Sequence, residues 1–101
     1  MEKIIKIDGR EVRLKSSAAL PLRYKAQFGR DLFSDMDRKK GAAIDSEVFY
    51  NVIWTLAKCA DDSILPVVEW VDQFEFFPVF KIFNEINEIV TLSMGTSEKN
   101  G

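Results

Sequence analysis

A chain of 101 residues that is 47% hydrophobic, 12% aromatic and 30% charged has the composition of one globular domain, not of a disordered segment. Its 14 basic and 16 acidic residues leave a net charge of −2, which argues against nucleic-acid binding driven by overall charge. With no histidine and a single cysteine, Cys59, the chain excludes histidine-based triads, dyads and general bases, an internal disulfide and a CxxC motif. These absences predict a non-enzymatic domain with no cofactor and no metal, at home in a reducing compartment. The opening Met1-Glu2-Lys3-Ile4-Ile5-Lys6 is too interrupted by charge to read as a signal peptide. No run approaches the ~18 apolar residues of a membrane-spanning helix, so no membrane partner is expected.

Lys3–Ile7 and Arg10–Lys15 are strand-like runs joined by Asp8-Gly9, the dipeptide that supplies positive φ at both centres of a type I′ turn. A two-residue loop sets Ile7 opposite Arg10, Lys6 opposite Glu11 and Ile5 opposite Val12, with the Lys6–Glu11 pair on the wet face. Ser16-Ser17 breaks the pattern and can cap a helix over 18–28, in which Pro21 is tolerated only near the start. There Leu20, Tyr24 and Phe28 form one stripe, and Gly29 is placed to end the helix in the left-handed conformation. A short helix from about Asp31 to Lys39 is expected to turn Leu32, Phe33 and Met36 inward. The stretch Lys39-Lys40-Gly41-Ala42-Ala43 reads as a loop.

Asp45 then offers a cap for the clearest element, a helix over Ser46–Ala60. Val48, Phe49, Val52, Ile53, Leu56, Ala57 and Ala60 repeat with helical period and define its buried face; Trp54 and Cys59 lie beside it. Asp61-Asp62-Ser63 ends this helix, and a short one follows over Val67–Gln73. Pro78 fits the first turn of a final helix to about Met94, with Val79, Ile82, Phe83, Ile86, Ile89, Val90 and Leu92 as its apolar positions. The expected fold is mainly α: a single domain over 1–94, made of an N-terminal β-hairpin (1–15) and a small bundle of about five helices (18–94), with a flexible polar tail at 95–101.

Charge divides the chain. Residues 1–40 carry 11 basic and 6 acidic side chains, whereas residues 41–101 carry 3 basic and 10 acidic. Two readings follow: the halves neutralise each other within one molecule, or the basic end of one copy meets the acidic end of another in head-to-tail self-association. Nucleic-acid binding by the basic half is weakened by Asp31, Asp35 and Asp37 interspersed in it.

Trp70, Phe74, Phe76, Phe77 and Phe80 crowd five aromatics into eleven residues. They read as a core corner or as a partner-binding patch. Asp61-Asp62 with Glu69 and Asp72 lacks the ligand spacing of a calcium loop and reads as a solvated acidic surface. Gly29-Arg30-Asp31 is a helix stop followed by a new cap, not a phosphate loop. Cys59 reads as an inert thiol.

The run Ala18-Ala19-Leu20-Pro21-Leu22-Arg23-Tyr24-Lys25-Ala26-Gln27-Phe28-Gly29-Arg30-Asp31-Leu32 resembles the signature of tail assembly chaperones from long-tailed phages and prophages of Gram-positive bacteria. The likeness continues through Phe49–Lys58, with Trp54 ahead of Ala57-Lys58, then Asp61-Asp62-Ser63-Ile64 and Glu69-Trp70-Val71-Asp72-Gln73-Phe74, and so covers about 18–92. The resemblance implies a small helical protein, not an enzyme, that acts as an oligomer in the host bacterial cytoplasm. Such chaperones keep the tape measure protein soluble during tail morphogenesis, give way as tail tube subunits polymerise, and are absent from the mature virion. A longer form made by translational frameshift meets the tail tube protein in many of them. A client surface is expected around Tyr24, Phe28, Trp70 and Phe74, with Arg23 and Arg30 as the basic contact for self-association. Competing readings are a small virion component, such as a head–tail connector or tail completion protein, and a DNA-binding regulator. The latter is weak because the helix over 46–60 carries only Glu47 and Lys58 as charges.

Overall fold

The computed structural model describes residues 1–37 and 44–95. In chain order these form β1 (Glu2–Ile7), β2 (Arg10–Lys15), α1 (Leu20–Phe28), α2 (Leu32–Asp35), α3 (Ser46–Ala60), α4 (Val67–Asp72), α5 (Val79–Glu85) and α6 (Asn87–Met94). The architecture is mainly α with an N-terminal antiparallel hairpin, as the periodicities require. The expected loop at 39–43, the last residues of the expected second helix and the tail beyond Gly95 lie outside the described residues.

The hairpin has the register that its turn dictates: Ile5 pairs with Val12, Lys6 with Glu11 and Ile7 with Arg10. Asp8 and Gly9 hold φ of 56° and 76°, the two positive values of a type I′ turn. Period-2 alternation then puts Ile5, Ile7 and Leu14 inward, fully or nearly buried, and leaves Ile4, Lys6, Glu11 and Arg13 on the wet face. A lone hairpin is marginal in water. This one is held by packing β2 along α3.

α3 is the axis of the fold. The Asp45 carboxylate accepts a hydrogen bond from the Glu47 N–H at 3.0 Å and caps it. From Val48 to Ala57 every residue except Tyr50 is buried, because β2, α1, α4 and α5 pack around this helix. The sequence-based face was too narrow. Trp54, expected beside it, is only 3% exposed, and Asn51 and Thr55 are buried too. Thr55 satisfies its hydroxyl by donating to the Asn51 carbonyl one turn back, at 2.7 Å.

Three further expectations need correction. Pro21 does fall in the first turn of α1, but the helix starts at Leu20, preceded by a turn in which the Ser17 hydroxyl accepts from the Ala19 N–H. α2 is a single turn, so only Leu32 is buried; Met36 is partly covered and Phe33 remains 46% exposed. The final helix is broken at Ile86, whose φ of −106° and ψ of 12° leave the helical region. α5 packs on α3 and α6 on α1, with Ile86 itself fully buried between them. Leu92, expected inward, is 46% exposed.

Gly29 ends α1 at φ 70° and its N–H reaches the Lys25 carbonyl at 2.8 Å. A Cβ at this position would meet nothing within 4 Å, so the only obstacle to another residue is the backbone conformation. Gly29→Ala is expected to cost about 1–2 kcal/mol, and Gly29→Asn less, because asparagine tolerates the left-handed region. Urea unfolding of the two variants checks the order.

Candidate functional site

The signature stretch becomes a structural device. Tyr24 is fully buried, and its hydroxyl donates to Asp35 Oδ2 at 2.8 Å. Arg30 closes on the same carboxylate with both arms, Nε to Oδ2 at 2.8 Å and Nη2 to Oδ1 at 2.7 Å. Asp31 caps α2 by accepting from the Ser34 N–H at 2.9 Å. Gly29 makes the turn that swings Arg30 back over Asp35. The Arg30 guanidinium, helped by the Tyr24 hydroxyl, holds the Asp35 carboxyl below its ordinary value. Burial, then the neighbouring Asp35, push the Tyr24 hydroxyl well above its ordinary value. The Asp35 hydrogen bond raises Arg30 in turn.

Each residue expected to contact a partner therefore has a definite place. Tyr24 and Trp70 belong to the core, at 0% and 5% exposure. Phe28 is partly covered, with its ring centroid 5.0 Å from Tyr24 and 5.9 Å from Trp54. Phe74 is partly covered between the Trp70 ring and the Arg10 guanidinium, which sits 4.8 Å above it. Arg23 is exposed on α1; Arg30 is exposed at its outer side while engaged with Asp35. The structure thus separates Tyr24 and Phe28, beside α2, from Trp70 and Phe74, beside the hairpin tip. The five clustered aromatics divide as well: Trp70 is buried, Phe74 and Phe77 are half-buried, and Phe76 and Phe80 are 63% and 59% exposed.

An open groove lies next to that cluster. α4 and the segment after it stand away from the first turns of α3 and leave an open groove of about 570 Å³. Its floor is Tyr50 stacked on Phe77, ring centroids 5.5 Å apart and planes 22° from parallel. Val67, Val68 and Val71 form the α4 wall; Glu47, Asp72 and Glu75 stand along the lining. Val68 is 72% exposed. The far wall is fixed by the hairpin tip: Asp8 accepts from the Glu75 N–H at 2.9 Å, and Arg10 donates to the Gln73 carbonyl at 3.1 Å. The Asp-Gly turn therefore both reverses the chain and pins residues 73–75.

Sequence reasoning reached Trp70 and Phe74 and missed the valines that line the groove. The signal was present in Val67-Val68, two adjacent apolar residues in a helix too short to bury both, but nothing local says which one faces out. The ion pairs Arg13–Glu2, Arg30–Asp35 and Lys81–Glu85 each join residues of the same half of the chain, so these pairs do not neutralise one half with the other. Among the described residues, no group of three or more cysteine, aspartate or glutamate side chains is placed to hold a metal ion. No helix of the described residues is long and apolar enough to cross a membrane. No family model, curated protein or solved structure matches the chain.

Proposed function

We propose that this protein is a tail assembly chaperone of a long-tailed phage or prophage. It binds the tape measure protein in the host cytoplasm, keeps it soluble while the tail is built, acts as an oligomer and leaves before the virion is complete. The observation that carries this reading is the run from Ala18 to Leu32, whose likeness to that family extends in register to about residue 92. The architecture accommodates it: a wide, apolar-floored groove on a helical domain suits broad contact with a helical client better than a deep polar pocket would. The chemistry expected of the site is binding alone. Contact with tail tube protein belongs to a longer frameshifted form.

The test is co-expression with the tape measure protein encoded beside it. Retention of the client on the tagged chaperone, together with its transfer from the insoluble to the soluble fraction, is the expected result. No retention and no change in solubility would sink the reading in favour of a virion component, which would instead be found in purified particles.

A further inference from the structure

We propose that the groove between α3 and α4 is the docking site for a cationic amphipathic helix. Apolar side chains one turn apart seat between Val68, Val71 and Phe77, and lysine or arginine on the helix flanks meets Glu47, Asp72 and Glu75. This deepens the chaperone reading and rests on it for the setting, since the helix belongs to the client.

Charge complementarity selects the partner. Among the described residues, every charged side chain lining the groove is a carboxylate. The surrounding half of the chain repeats the bias: residues 44–95 hold Lys58 and Lys81 as their only cations, against nine acidic residues. Such a surface attracts a cationic segment and repels an acidic one.

Geometry selects a helix over a strand. The walls are α3, α4 and a loop already pinned to the hairpin tip, so no unpaired strand edge is offered for β-addition. A volume of about 570 Å³ is far below that of a whole helix yet takes several side chains from one helical face. A lone exposed valine would mean little. Here it borders an aromatic floor and has carboxylates around it.

A second copy of this chain is the weaker occupant. Its own basic helix, α1, turns Leu22 outward with only Ala26 one turn further on, beside Arg23 and Lys25. One leucine and one alanine leave most of the groove unfilled.

The experiment uses the full chain and two labelled helical peptides of about 20 residues. Both carry leucine at i, i+4 and i+7; one has lysine flanks, the other glutamate flanks. Fluorescence anisotropy is expected to show the lysine peptide binding about tenfold or more tightly than the glutamate peptide, with the preference shrinking as salt rises. Val68→Asp, at an exposed position that the fold does not depend on, should weaken the lysine peptide about tenfold or more. The double variant Asp72→Lys/Glu75→Lys should reverse the peptide preference. Equal binding of the two peptides, or binding untouched by both variants, would overturn the proposal. So would self-association that Val68→Asp abolishes while peptide binding persists, which would assign the groove to a second copy. Tape measure protein retained equally by wild type and Val68→Asp would remove the groove and leave the chaperone reading standing. Lysine-peptide binding that depends on Val68, with no client retained, would do the reverse.

Discussion

Trp54→Ala is expected to cost about 3–5 kcal/mol, the largest loss of any single change considered. Trp54 is 3% exposed, its ring meets Phe28 edge-on at 5.9 Å, and its indole N–H donates to the Leu65 carbonyl at 2.8 Å. The Lys58 ammonium lies 5.6 Å over the same ring. Truncation empties the space between α1, α3 and the turn leading to α4, and it leaves the Leu65 carbonyl without that donor. Domains of this size are stable by about 5–15 kcal/mol in total, so the variant sits near the edge of folding. Trp54→Phe keeps the packing and loses the donor, and should cost about 1–2 kcal/mol. Urea unfolding followed by far-ultraviolet circular dichroism separates the two. Equal losses would mean that the hydrogen bond, not the cavity, dominates; a loss under 1 kcal/mol for Trp54→Ala would refute the packing role.

Asp35→Ala is the second large effect, about 2–3 kcal/mol. The Asp35 side chain is only 7% exposed and accepts from Tyr24 and from both arms of Arg30. Removing the carboxylate takes away the acceptor of the buried Tyr24 hydroxyl and leaves it the Asn51 side chain alone, while Arg30 can turn to water. Tyr24→Phe should cost about 1 kcal/mol, and the double variant should lose less than the sum, because both changes delete one shared bond.

The same cluster predicts two pH limbs. The Asp35 carboxyl is depressed in the folded state, chiefly by Arg30. The unfolded chain therefore takes up its proton first, and the contribution of Asp35 is complete above about pH 4 and fades as pH falls through the lower folded value. Asp35→Asn should flatten this acid limb. The Tyr24 hydroxyl is raised, first by burial and then by Asp35. Its contribution is complete below about pH 10 and is lost as pH rises toward the higher folded value, since only the unfolded chain ionises there. Tyr24→Phe should flatten the alkaline limb and leave the acid one recognisable. An alkaline limb unchanged in Tyr24→Phe would show that another group sets it.

The local geometry of this protein can be read from short stretches of chain. Asp8-Gly9 fixed the hairpin register to the residue, because a type I′ turn admits one pairing. Asp45, Asp31 and Gly29 fixed helix boundaries, because caps and left-handed stops act over one turn of chain. The helix over 46–60 was legible at its start from the Asp45 cap and along its length from its apolar period. Which side of an apolar segment meets which neighbour was settled by packing between distant elements. Trp54 went into the core because α1 and the turn before α4 cover that flank of α3, whereas Leu92, on an equally periodic apolar segment, was left 46% exposed. Tyr24 and Trp70, apolar enough for a client surface, were claimed by the core, while Val68 was left facing the groove. Periodicity is a property of one segment and records that a face is apolar. Whether that face is covered by the chain's own elements or left open depends on residues far away in sequence, and Asp8 pinning Glu75 is the plainest case.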